Sequence, residues 1–159
     1  MIEYVHRQYG PWHVMFLVLG LGVFGVTAVC GVRGQMSGSV AVSLVLVGGI
    51  FFLAAAVLAY LEVRGDGDRL AVRFGPLPLF GTSIPYDAME SVERARTSML
   101  YGFGMQGLPW LFLALNIRGS DAVQIRLKRR LGIWRAKMVF VGTDDAENLV
   151  EFLRGKMGQ

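Results

Sequence analysis

Two uncharged apolar runs occupy most of the chain up to Leu61, and beyond it the pattern changes to short stretches that alternate apolar and polar positions. The first run, HVMFLVLGLGVFGVTAVCGV from His13 to Val32, is twenty residues long. As an α-helix rising 1.5 Å per residue it would reach about 30 Å, the thickness of a bilayer's hydrocarbon layer. The second run, Val40–Leu61, is twenty-two residues long and is also uncharged. Arg33-Gly-Gln-Met-Ser-Gly38 lies between them, short and rich in helix breakers, so the two helices must be antiparallel neighbours. Tyr9, Trp12 and Tyr60 stand at the ends of the runs, where interfacial aromatics collect. The pattern predicts a transmembrane hairpin over residues 1–61, with spans at 13–32 and 40–61. A cleaved signal peptide competes for the first run, but the apolar core of a signal peptide is only about seven to fifteen residues long.

Gly20-Leu-Gly22-Val-Phe-Gly25 matches the dinucleotide-binding spelling G-x-G-x-x-G. That fingerprint needs a preceding strand and a helix N-terminus facing water, and here the letters fall inside an apolar span. They read instead as close-packing positions. Gly20, Gly22, Gly25, Thr27, Gly31, Ala55 and Ala59 would let helix backbones approach, against each other or against a further protein, where lipid supplies no hydrophobic drive.

Beyond residue 61 the period-two segments predict about seven strands in an antiparallel meander: Leu61–Arg64, Arg69–Phe74, Thr82–Pro85, Met89–Arg94, Trp110–Arg118, Val123–Lys128 and Lys137–Val141. Gly65-Asp-Gly-Asp68 reads as a hairpin turn. Asp144 followed by Glu147 has capping-box spacing, and Leu149, Val150, Phe152 and Leu153 then share one face, which predicts a C-terminal helix over 145–156. The fold class expected for residues 62–159 is a mainly β, partly open barrel closed by one C-terminal helix, carried on the membrane α-helical hairpin.

Arg73-Phe-Gly-Pro76, Ile84-Pro-Tyr86, Met89-Glu-Ser-Val-Glu93, Gly102-Phe-Gly104, Val123-Gln-Ile-Arg-Leu127 and Gly142-Thr-Asp-Asp145 with Leu149 and Leu153 resemble the bacterial PH-like domain family that follows two N-terminal transmembrane helices. The resemblance covers roughly residues 60–157. It implies a PH-like barrel and a role as a membrane-bound accessory or assembly factor in the bacterial inner membrane. It names no catalytic residue.

Charge sharpens this division. Fourteen basic and eleven acidic residues lie after Leu61, against only Glu3, Arg7 and Arg33 before it. Arg7, Arg64, Arg69 and Arg73 flank the outer ends of the two spans, while the turn between them offers Arg33 alone. The positive-inside rule then places both termini and the β domain in the cytoplasm. Arg126, Lys128, Arg129, Arg130, Arg135 and Lys137 form a basic hairpin, readable as a contact for anionic phospholipid or a partner's acidic face, or as a charged edge that blocks strand pairing. Met99, Leu100, Tyr101, Phe103, Met105 and Trp110 belong to an apolar stretch, readable either as barrel core or as a loop that enters the headgroup region or docks on another membrane protein.

Cofactor and metal sites are not expected. Cys30 has no partner cysteine, and His6 and His13 lack the spacing and the third ligand of a metal site. Gly102-Phe-Gly104-Met-Gln-Gly107 repeats the nucleotide spelling without opening a helix and reads as a tight loop. Asp87, Glu90 and Glu93 lie near Arg94 and Arg96, which suggests surface ion pairs rather than an acid–base pair. The net charge of the domain is too small, and its anchor too constraining, for nucleic acid. The expected function is non-catalytic: protein–protein contact within a membrane complex, with headgroup recognition through the basic hairpin as the alternative.

Overall fold

The computed structural model describes residues 2–76, 80–97, 104–108, 111–131 and 135–158, the side chains of Ile2, Glu3 and Leu131 excepted. The order of elements is β1 (Ile2–Tyr9), α1 (Trp12–Val32), α2 (Gly38–Val57), β2 (Tyr60–Asp66), β3 (Arg69–Phe74), β4 (Gly81–Pro85), a 3-10 turn at Tyr86–Ala88, β5 (Met89–Arg96), β6 (Gly104–Leu108), β7 (Phe112–Asn116), β8 (Asp121–Leu131), β9 (Ala136–Gly142) and α3 (Ala146–Met157).

The two apolar runs form helices of 21 and 20 residues, long and apolar enough to cross a membrane, with mean hydropathy 2.3 and 2.7. They lock by a reciprocal exchange of glycine and phenylalanine four residues apart on each helix. The ring of Phe52 fills the space beside Gly20, 3.0 Å from where a Cβ would stand, and the ring of Phe24 fills that beside Gly48 at 2.7 Å. Phe24 and Phe52 then meet with centroids 5.6 Å apart. Elsewhere the helices expose Val18, Leu21, Leu46 and Ile50, an apolar surface that water would penalise and hydrocarbon accepts.

The first strand is the main departure from the sequence reading. Residues 2–9 belong to the β domain and not to the hairpin: β1 pairs antiparallel with β2 from Ile2↔Asp66 to Tyr9↔Tyr60. The two helices therefore leave from and return to adjacent strands of one sheet, which places the N-terminal segment and the β domain at the same end of the hairpin. β1 turns Tyr4, His6 and Gln8 toward the domain, with Gln8 buried, and leaves Val5 and Tyr9 outside.

The strands do not form one antiparallel meander but fall into two separate sheets. The first has the order β1-β2-β3-β4, all antiparallel; the second has the order β5-β8-β9-β7-β6, and in it β7 runs parallel to β9. β6 occupies the segment expected to be a glycine loop. Nine strands thus stand among the described residues where seven were expected. Leu70, Val72, Phe74 and Ile84 from the first sheet and Leu115, Val123, Ile125 and Val141 from the second form one core, and Leu149 and Leu153 of α3 close it.

α3 begins at Ala146 without the expected capping box. The carboxylate of Asp144 accepts from His6 Nε2 at 2.5 Å, Glu147 accepts from Arg94 at 2.7 Å, and the backbone N–H of Asp145 donates to Thr143 Oγ1 at 3.1 Å. Tyr4 fastens β1 to this corner: its hydroxyl donates to Asp145 Oδ2 at 3.0 Å and its ring stacks on Phe152 at 5.2 Å. Burial, then the Asp145 hydrogen bond and the nearby Asp145 and Asp144 charges, push the Tyr4 phenol well above its usual range. A raised pKa means that this contribution is complete below the unfolded phenol's pKa of about 10 and is lost as pH rises above it. Thermal unfolding between pH 9 and 11 should therefore show the wild type losing stability faster than Tyr4→Phe, which has no proton to release; parallel losses would count against the linkage.

Candidate interaction surfaces around the helix junction

At its base α2 rests directly on the β domain. Gly75, with φ +61°, lies so close to Ala56 that a Cβ would collide with the Ala56 carbonyl oxygen. Just before α1, Gly10 packs on Ile117, whose Cγ1 would lie 2.6 Å from a Cβ, and the buried Gln8 of β1 donates from Nε2 to the Arg118 carbonyl at 3.2 Å. Beside this seat an apolar cleft of about 360 Å³ opens between Ile50, Leu53 and Val57 of α2 and Phe74, Phe80 and Met105 of the domain. Phe80 is 41% exposed. The cleft runs along the last two turns of α2, so the β domain overlaps the helix rather than hanging below it.

Met105 is the described member of the apolar stretch singled out from sequence; Met99, Leu100, Tyr101, Phe103 and Trp110 lie outside the described residues. Among the other described residues of the stretch, Leu113 is core, whereas Leu108 and Leu111 are exposed at the far end of the β6–β7 hairpin.

Among the packing positions expected on the helices, Gly20 and Ala55 are buried, and Gly48, not singled out, matches Gly20 across the interface. Gly22, Gly25 and Gly31 would meet nothing within 4 Å and are not part of the contact between α1 and α2. Gly22 instead floors a shallow apolar groove with Val18, Val26 and Leu44 on the outside of the hairpin. Thr27 returns its hydroxyl to the Val23 carbonyl at 2.7 Å within its own helix. Ala59 lies beyond the end of α2, and its carbonyl accepts from the Gly10 N–H.

The basic hairpin is the β8–β9 pair. Arg126, Lys128 and Lys137 line a cavity of about 300 Å³ beside Glu90 and Met138. Lys128 Nζ donates to the Asp87 carbonyl at 3.0 Å, Arg129 lies 3.5 Å from the Asp87 carboxylate, and Arg130 and Arg135 are exposed. The neighbouring Tyr86 N–H donates to Asp68 O in the β2–β3 turn. The basic half of the hairpin, toward its tip, therefore sits beside the end of the first sheet opposite the helices, about 20 Å along the strands at 3.3 Å per residue.

The carboxylates near residue 90 form a different network from the one expected. Arg94 pairs with Glu147 and both Arg94 and Arg96 approach Asp121, at 4.0 and 3.7 Å, while Asp87 faces Arg129. Among the described residues no three His, Cys, Asp or Glu side chains converge as metal ligands.

Sequence reading missed the outer face of the first sheet. Register there brings Arg7, Glu62 and Arg73 into one row and Val5, Arg64, Ala71 and Ser83 into another. The Arg7 Nε donates to the Glu62 carboxylate, which holds the Arg7 guanidinium above its usual range. Arg69 donates twice to Asp68, at 2.9 and 3.2 Å, and that hydrogen bonding holds the Asp68 carboxyl below its usual range. The signal available in the sequence was the recurrence of arginine at 64, 69 and 73, whose convergence only the strand register settles. No family model matches the chain, and no curated protein matches it.

Proposed function

We propose that this protein is a non-catalytic subunit of a membrane protein complex, whose helical hairpin spans the bilayer and whose β domain docks a partner at the membrane surface. The observation that carries the reading is the cleft at the base of α2, because it is apolar, opens sideways, and borders the part of the helix that would be immersed. An apolar helix of another membrane protein fits such a site; the Gly22 groove offers a second approach of the same kind.

Arg7, Arg64, Arg69 and Arg73 at one end of the hairpin against Arg33 at the other support a cytoplasmic domain in a bacterial inner membrane. Retention of the first helix is supported by β1, since cleavage after α1 would strip the first sheet of an edge strand. Two sheets with a closing C-terminal helix remain compatible with a PH-like module, which the sequence resemblance suggests. Headgroup recognition by the β8–β9 hairpin is the weaker alternative, given its place at the opposite end of the first sheet.

The test is gentle purification of the tagged full chain with its neighbours, repeated with Phe80→Ser combined with Leu53→Ala. Both side chains are exposed, so the fold should survive, and loss of an anchor pair should lower recovery of the partner at least tenfold, on the scale of a hot-spot truncation of about 2 kcal/mol or more. A chain that purifies alone, or one whose partners ignore the double variant, would remove the basis for this reading.

A further inference from the structure

The outer face of the first sheet carries a hollow of about 350 Å³ that the docking proposal does not use. Its floor is the methyl group of Ala71. Arg69 and Arg73 stand two residues away on either side along β3, and Arg64 on β2 and Ser83 on β4 are its cross-strand neighbours. A large side chain at 71 would fill the space, and Gly81 leaves the position across from Arg73 empty. Gly81 is required there, because a Cβ would sit 2.6 Å from the Val72 carbonyl oxygen. Small residues thus make a basin, and the three guanidinium groups and one hydroxyl make its wall.

The charges in this wall are incompletely matched. Glu62 lies opposite Arg73 in register, but its carboxylate is engaged by Arg7 from the other side. Among the described residues Arg73 has no hydrogen-bond or ion-pair partner, and neither does the Ser83 hydroxyl. Arg64 ion-pairs with Glu62 across 3.7 Å, and its buried Nε has no hydrogen-bond acceptor. Arg69 is held by Asp68, and Asp66 lies on the rim. Arg73 and the Ser83 hydroxyl therefore line a concave space with donors to spare, and Arg64, shared with Glu62, adds a second guanidinium to its wall, an arrangement suited to a compact oxyanion.

The basin also has a defined height. Gly75 touches the backbone of α2 at Ala56, and Arg73 is two residues from Gly75, at most about 7 Å by strand rise. The polar band outside the hydrocarbon is about 5–8 Å thick on each side. If the hairpin spans the bilayer, Arg73 lies at headgroup depth and Arg64 just beyond it.

We propose that the basin around Ala71 is a binding site for a phosphate group, with Arg73 and Arg64 as its charged donors and Ser83 as its neutral one. The phosphate can belong to a lipid headgroup of the surrounding leaflet or to a soluble ion, and the experiment separates the two. The full chain in a neutral detergent is titrated with short-chain phosphatidylglycerol and, separately, with inorganic phosphate, using the wild type, Arg73→Gln, Ala71→Glu and Arg96→Gln. Arg73 and Ala71 face outward, so both substitutions should fold. Removal of a charged donor should weaken binding about tenfold or more, and a carboxylate in the floor should abolish it. Arg96→Gln, on β5, should leave it unchanged.

Variant-sensitive binding of phosphatidylglycerol well above that of inorganic phosphate assigns the site to lipid; equal, variant-sensitive binding of both assigns it to a soluble phosphate. Binding that Arg73→Gln and Ala71→Glu leave at wild-type strength, or no binding of either probe, overturns the proposal. Because these readouts need no partner protein, failure here leaves the docking reading intact.

Discussion

Replacing Gly75 by valine is expected to destabilise the protein by at least about 3 kcal/mol, more than any exposed substitution named above, because two independent faults coincide at one residue. Gly75 has φ +61°, a region that costs a side chain about 1–2 kcal/mol. Its Cβ would also collide with the carbonyl oxygen of Ala56 and sit 3.0 Å from Val57 Cα, both backbone atoms that cannot rotate aside. The Gly75 N–H that donates to Tyr60 O at 2.8 Å would be pulled from its acceptor by any shift that relieved the clash. For a domain near one hundred residues the loss corresponds to a fall of about 12 °C or more in Tm. Gly67→Ala supplies the comparison. Gly67 has φ +56° in the β2–β3 turn with open space around it, so only the conformational cost of about 1 kcal/mol should appear. Equal effects at the two glycines would show that α2 is not seated on β3 in the way described.

Sequence made the two helices readable because a long uncharged run admits few alternatives, whereas each strand had to be inferred from a handful of positions. β3, β8 and α3 keep apolar residues on their buried faces, and they appear where the pattern placed them. β1 inverts that signal: the domain receives Tyr4, His6 and Gln8, while Val5 and Tyr9 face out, so alternation pointed the wrong way. Its partner also lies beyond both helices, some fifty residues on, where no local rule reaches. β6 was hidden by Gly104 and Gly107. Gly107 is needed because a Cβ there would strike the carbonyl oxygen of Phe112 on β7. The parallel pairing of β7 with β9 has no sequence signature, since a strand's own pattern does not name its neighbour. The same limit applies to the surfaces. The basic hairpin was visible because its cations are close in sequence, while the basin around Ala71 required register to gather Arg64, Arg73 and Ser83 from three strands.

The second large effect should follow from removing β1. Deleting residues 2–9 exposes the β2 edge along the whole pairing from Tyr60 to Asp66 and removes the ladder hydrogen bonds, each worth about 1 kcal/mol net. It also strips the Phe152 ring of its Tyr4 partner and breaks the tie from Gln8 to Arg118 that joins the first sheet to the end of β7. The expected result is a fall in Tm of more than about 10 °C and hydrogen exchange in β2 accelerated toward that of an unprotected strand, with exchange in β8 and β9 affected least. An added peptide of the β1 sequence should restore part of the protection by strand addition. A deletion variant with wild-type Tm and protected β2 amides would mean that β1 merely lies on the sheet. Because β1 enters α1 directly through Gly10 and Pro11, its docking also fixes the entry of the first helix beside the exit of the second. The same strand that evaded the sequence pattern thereby holds both ends of the hairpin to the domain, and the seat of α2, the apolar cleft and the arginine basin depend on that alignment.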